Sequence, residues 1–163
     1  MSNPGEGDAT PITSVRQLAD HIAAGCKPSA TWRIGTEHEK FGFRLDDLAP
    51  PPYLPADGQP GAIRDLLAGL QRFDATPITD HGNIIGLKQG GAAISLEPAG
   101  QLELSGAPLQ TLHQVQAEMA GHFEQVRNVA RDLRMGFAPL GFHPFASRAA
   151  MPWMPKGRYA IMR

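Results

Sequence analysis

The feature that most constrains this chain is a run of short apolar stretches punctuated by glycine between Gly82 and Ser105. Ile84-Ile85-Gly86-Leu87 is apolar, and Lys88-Gln89-Gly90-Gly91 has turn chemistry. Ala92 to Leu96 is apolar again, Pro98-Ala99-Gly100 is a second turn, and Gln101 to Ser105 alternates polar with apolar. Three strands joined by turns this short predict an antiparallel meander.

The flanking segments extend that sheet and cover it. Thr31 to Leu45 reads as a strand, favoured by Trp32, Ile34, Phe41 and Phe43 and free of proline. Ser14 and Gln17 fit a capping box that opens a first helix carrying Val15, Leu18, Ala19 and Ile22, with Gly25 as its stop. Asp46 to Pro60 holds five prolines and an Asp57-Gly58 pair, so it reads as a loop. Ile63, Leu66, Leu67 and Leu70 predict a short amphipathic helix that frays near Phe73. The longest helix is expected from Pro108, with Leu112, Val115, Met119, Val126, Ala130 and Leu133 on one stripe and Gly136 as its left-handed cap. Phe137 to Phe142 reads as a further strand. Met1 to Thr10 is polar and Gly-rich, and residues 1–12 read as a disordered lead-in.

Composition narrows the function. The net charge is −1, so no basic field exists to gather nucleic acid or an anionic membrane surface, and neither is expected as a partner. No apolar run approaches the roughly 18 residues of a membrane-spanning helix. The one cysteine, Cys26, excludes an intramolecular disulfide, and nothing near it in sequence resembles a base; with no secretory signal at the N-terminus, a cytoplasmic protein is expected. The other histidines (His21, His81, His113, His122 and His143) show no metal-ligand spacing.

The chemistry concentrates in carboxylates. In Gly35-Thr36-Glu37-His38-Glu39-Lys40, a strand puts Glu37 and Glu39 on one face, roughly 7 Å apart at Cα, continuing into Phe41 and Phe43. The pair reads either as a charged exposed edge or as ligands for a hard divalent cation. Glu97, before the second turn, and Glu103, after it, approach each other across the hairpin; they read either as a polar solvent face or as a second cation-holding pair. If both segments share one sheet, four carboxylates line a single cavity, able to hold Mg²⁺ ions against a nucleotide triphosphate. No Gly-x-x-x-x-Gly-Lys-[Ser/Thr] phosphate loop is present. Basic side chains must then contact the phosphates, and Lys156, Arg158 and Arg163 are candidates. The segment Met154 to Arg163 ends in basic and apolar side chains with no polar tail, which reads as a truncated chain or fragment.

Three motifs carry a resemblance. Arg33-Ile34-Gly35-Thr36-Glu37-His38-Glu39-Lys40-Phe41-Gly42-Phe43 resembles the opening motif of plant- and proteobacterial-type glutamate–cysteine ligases. Ser95-Leu96-Glu97-Pro98 through Gln101-Leu102-Glu103-Leu104-Ser105-Gly106-Ala107-Pro108-Leu109 resembles that family's second motif, and Met154-Pro155-Lys156-Gly157-Arg158-Tyr159 through Ile161-Met162-Arg163 a third. They occur in the family's order, and the likeness runs from about residue 13 to the end.

The resemblance implies an α+β fold similar to glutamine synthetase: a curved antiparallel sheet forming a funnel, with helices outside. Residues 13–163 would be the N-terminal part of that catalytic domain, with the sheet incomplete in this chain. It implies ATP-dependent ligation of glutamate, through its γ-carboxylate, to cysteine by way of a γ-glutamyl phosphate, the first step of glutathione synthesis. Family metal ligands fall on Glu37, Glu39, Glu97 and Glu103, which would hold Mg²⁺. Arg158 and Lys156 take catalytic positions, and Lys40 and Arg163 contact the nucleotide. Redox-responsive cysteine pairs of some plant members have no counterpart here. Two alternatives stay open: a non-catalytic remnant or binding module of the same fold, and a carboxylate–amine ligase using another amine.

Overall fold

The computed structural model describes residues 10–56 and 60–162. Most of the expected lead-in, the Asp57-Gly58 pair and Arg163 lie outside them. Among the described residues there are three α-helices, α1 (Val15–Ala23), α2 (Ile63–Leu70) and α3 (Leu112–Asp132), and six strands. The strands are β1 (Glu37–Arg44), β2 (Thr76–Asp80), β3 (Asn83–Gln89), β4 (Ala92–Leu96), β5 (Leu102–Ser105) and β6 (Met135–Ala138). They form one sheet in the order β2-β3-β4-β5-β1-β6, with every neighbouring pair antiparallel.

The meander of β3, β4 and β5 is where the glycine punctuation places it. The second turn is a 3₁₀ turn at Pro98–Gly100 in which Ala99 and Gly100 both take positive φ. β1 is shorter than its sequence suggests: Ser29–Thr31 forms a 3₁₀ turn, and Ile34 makes an isolated bridge to Leu109. β2 is an unanticipated strand. Its Pro77 hides the signal, yet β2 is the sheet's outer strand, where a residue without an N–H is tolerated.

Both α2 and α3 lie on one face of the sheet. Ile63, Leu66, Leu67 and Leu70 of α2 pack with Leu87, Ile94, Leu96, Leu102 and Leu104 from the strands and with Val126, Val129 and Ala130 of α3. The helices meet closely at Gly69, where a Cβ would come within 2.5 Å of a Val129 methyl. No residue of α1 is buried. Its cap is half the expected box: the Ser14 hydroxyl accepts from the Gln17 N–H, while the Gln17 side chain accepts from Thr13 N instead of Ser14 N.

The long helix corrects two further expectations. It starts at Leu112 rather than in a turn opened by Pro108, because Thr111 and Gln114 form a full capping box and Leu109 is occupied in the bridge to Ile34. It ends at Asp132, and the left-handed residue is Arg134 (φ 53°), held through its guanidinium by Asp46. Gly136 instead belongs to β6, directly opposite Phe43, and a Cβ there would penetrate the Phe43 ring. β6 is correspondingly displaced from the expected Phe137 to Phe142.

Candidate active site

Alternation along β1 divides its side chains between two environments. Glu37 and Glu39 project from the face that carries no helix and are exposed. His38 and Lys40 project toward α3, His38 half-buried and Lys40 buried. The register fixes what stands beside the two carboxylates. Glu39 is directly opposite Glu103 of β5, which is opposite Ser95 of β4; Glu37 is opposite Ser105. Opposed residues in an antiparallel pair share a face. Glu97 lies two residues beyond Ser95, its N–H donating to Gln101 O, and is therefore on the same side. The four expected carboxylates thus occupy one face of one sheet.

They differ in surroundings. Glu103 is buried and accepts hydrogen bonds from Ser95 Oγ (2.9 Å) and Ser105 Oγ (2.6 Å). Burial alone would raise its pKa, but the hydrogen bonds from Ser105 and Ser95, with that from Glu97, outweigh it and hold the carboxyl below its ordinary value. Glu97 is the meeting point with the C-terminal motif. Arg158 stands 3.6 Å from one of its oxygens and Lys156 Nζ 4.0 Å from the other, and the Tyr159 hydroxyl is 3.3 Å away.

That motif is anchored to the sheet. Lys156 Nζ donates to Leu96 O at 2.6 Å and the Tyr159 hydroxyl to the same carbonyl at 2.9 Å, while Gly157 N–H donates to Asp80 at the end of β2. Lys156 is buried, and burial lowers its pKa against the raising influence of Glu97. Tyr159 is buried too, and its pKa is pushed up to about 12, chiefly by desolvation. Arg158 remains half-exposed, its guanidinium 5.3 Å from the Tyr159 ring centroid.

Of the expected basic groups, Lys40 does not reach the acidic face. Strand alternation turns it the other way, its Nζ lying 3.4 Å from both His38 O and Leu102 O. Arg163 lies outside the described residues. Glu97 and Glu103 approach each other as expected, within side-chain hydrogen-bond reach, although the register sets Ser95 and not Glu97 directly opposite Glu103. Among the described residues no three His, Cys, Asp or Glu side chains converge closely enough to hold a metal ion together. Sequence reasoning missed Ser95, Tyr159 and Asp80. Only the Ser95–Glu103 pairing and the long-range contacts at Leu96 O and Gly157 N expose them, and no local pattern encodes either.

The fold and site define an α+β protein whose open sheet face gathers four carboxylates and receives a basic, aromatic segment at its edge. Residues 33–163 match the model of glutamate-cysteine ligase family 2, and the chain belongs to that family. It is similar to "Glutamate--cysteine ligase A, chloroplastic" of Oryza sativa subsp. japonica, 51% identical over 94% of this chain and 30% of that protein. It is 51% identical to "Glutamate--cysteine ligase, chloroplastic" of Medicago truncatula over 95% of this chain and 29% of that protein. The protein of the same name from Arabidopsis thaliana is 48% identical over 95% of this chain and 28% of its own length. The chain thus spans about a third or less of the length of these relatives.

Their names overturn the cytoplasmic expectation, since all are designated chloroplastic. That expectation leaned on a single cysteine, which speaks to disulfide formation and does not separate one reducing compartment from another. No helix among the described residues is long and apolar enough to cross a membrane.

Proposed function

We propose that this chain supplies the acidic wall of the active centre of an ATP-dependent ligase that joins the γ-carboxylate of glutamate to the amine of cysteine, opening glutathione biosynthesis. The observation that carries this is the alignment of Glu37, Glu39, Glu97 and Glu103 on the one sheet face that carries no helix, in a chain of glutamate-cysteine ligase family 2. In this reading residues 13–163 are the N-terminal part of a catalytic domain resembling glutamine synthetase, and the face that carries no helix is the inner wall of its funnel.

The donor set suits Mg²⁺, a hard cation that prefers carboxylate oxygens and is bound together with substrate phosphates. Glu103 fits especially well, because two serine hydroxyls orient it and help keep it ionised. No three of these carboxylates converge on one point, so Glu37, Glu39, Glu97 and Glu103 would hold Mg²⁺ ions only together with substrate phosphates, and the metal would supply positive charge against the phosphoryl group passing to the glutamate carboxylate. The carboxylate becomes an electrophile once its oxygen takes the terminal phosphoryl group and ADP leaves; cysteine's amine then attacks the carbonyl carbon of that acyl phosphate, the former carboxylate oxygen departs with inorganic phosphate, and the amine loses a proton as the amide forms.

The remaining work belongs to this chain's side chains. Arg158, planar and half-exposed beside Glu97, is placed to contact phosphate or carboxylate oxygens through paired N–H groups. Lys156 and Tyr159 fix the segment on Leu96 O, so Arg158 is presented by a rigid mount. Arg163 completes the basic group in this reading.

The test is mass-spectrometric detection of γ-glutamylcysteine, with ADP release, from the full-length ligase containing this chain, supplied with Mg²⁺, ATP, glutamate and cysteine. Product that depends on all four components is expected, and replacing cysteine with another amine should lower it. Equal product from Glu39→Gln and Glu103→Gln variants would remove the acidic face from the mechanism.

A further inference from the structure

On the helix-covered side of the sheet, between β1, β6 and α3, lies a cavity of about 350 Å³. Its ionisable lining is wholly basic: His38 and Lys40 from β1, Arg127 and Arg131 from α3. No carboxylate lines it among the described residues. The other walls are apolar, formed chiefly by Phe123, Val126, Met135 and Phe137.

Three observations mark this as more than a packing gap. Lys40 is 2% exposed, yet its ammonium has only long contacts, 3.4 Å each to His38 O, Leu102 O and His38 Nδ1, with the Phe123 ring centroid at 5.9 Å. A desolvated ammonium is costly without close partners. Arg127 and Arg131 stand one turn apart on α3, a spacing at which like charges repel. Both are exposed at the cavity, and among the described residues neither forms an ion pair, although Arg72 engages the adjacent Asp132. Positive charge is thus gathered around an apolar hollow whose own lining carries no carboxylate; the acid acting on Lys40 is Glu103, on the other face of the sheet.

We infer that this cavity binds a small organic anion, a monocarboxylate carrying an apolar chain or ring. Its carboxylate would lie among Lys40, Arg127 and Arg131, and its body against Phe123, Val126 and Phe137. The volume is at the lower end for ligand pockets, which limits the occupant to a small molecule. The site faces away from Glu39 and Glu103, so it is separate from the acidic face and does not depend on the ligase reading.

The test is a titration of the ¹⁵N-labelled protein with hexanoate, acetate and inorganic phosphate, followed by amide chemical shifts. Hexanoate should shift Lys40, Phe123, Arg127 and Gly136 saturably, and at least about tenfold more tightly than acetate or phosphate, because only it fills the apolar part. The Arg127→Glu/Arg131→Glu double variant changes exposed side chains and should keep the native amide spectrum while weakening hexanoate by about tenfold or more. Hexanoate that leaves the lining amides unmoved would overturn the inference. So would charge reversal without effect on its affinity, or phosphate binding as tightly as hexanoate.

Discussion

The two faces of β1 use the same eight residues for opposite purposes. On the face that carries no helix Glu37 and Glu39 are exposed to water, where a polar side chain costs little. On the covered face His38 and Lys40 lie beneath α3, beside the buried His122, where polar groups strain against a dry environment. His122 shows the penalty most clearly: neither ring nitrogen has a hydrogen-bond partner among the described residues, and its pKa is lowered to about 3, first by burial and then by Lys40 and His38. The comparison teaches that a charged motif on a strand is two half-motifs. Residues two apart act together, whereas adjacent ones do not.

The separation can be tested by perturbing one face and reading both activity and stability. The largest effect should come from the open face. Glu39→Gln and Glu103→Gln should each reduce γ-glutamylcysteine formation by about 10²-fold or more, the scale on which removing a preorganised electrostatic group acts. Glu39→Gln should do so without moving the thermal midpoint, because its side chain is exposed. A large loss of stability in Glu39→Gln would break the division between the faces.

The covered face should answer in stability. Leu104→Ala, at a position 3% exposed and packed in the cluster beneath α2 and α3, should cost about 2–5 kcal/mol in urea unfolding. A cost below about 1 kcal/mol would show that the helices do not seal this side.

His122 sharpens the contrast with pH. Its folded pKa of about 3 lies below the ordinary 6.5, so between these values the unfolded chain binds the extra proton. Stability attributable to His122 is therefore present above about pH 6.5 and lost as pH falls toward 3, by up to about 1.4 kcal/mol per pH unit. His122→Phe should flatten that part of the stability–pH curve; an unchanged slope would assign it to other groups. The smallest effect is at the helix start, where Thr111→Ala should cost about 1 kcal/mol by removing the hydroxyl that accepts from Gln114 N.

Much of this arrangement is legible in the residues. Glycine-marked turns locate β3, β4 and β5, and α2 lies where its leucine stripe falls, because both signals are local. Strand alternation places Glu37 and Glu39 on one face before any coordinates exist. What escapes depends on partners distant in sequence. β2 is concealed by Pro77, whose tolerance follows from an edge position that only the assembled sheet defines. The end of α3 is misassigned to Gly136 because Arg134 takes the left-handed turn with Asp46 holding its side chain, a contact across 88 residues. Lys40 reads as one more basic group beside acids, and only α3 reveals that its face is the dry one. Glu103 is recognisable as an acid, but its serine clamp requires the β4–β5 register.

The fit of Phe43 into the space left by Gly136 has a consequence for variation. The two positions oppose each other across β1 and β6, and the ring of one occupies the volume a methyl would need on the other. They therefore behave as a single locus: Gly136→Ala alone is an intrusion, while the same change paired with Phe43→Leu restores the total volume. Drift through this part of the sequence must pass by joint replacement. A lineage fixed with the aromatic at 43 has position 136 locked until that ring is given up.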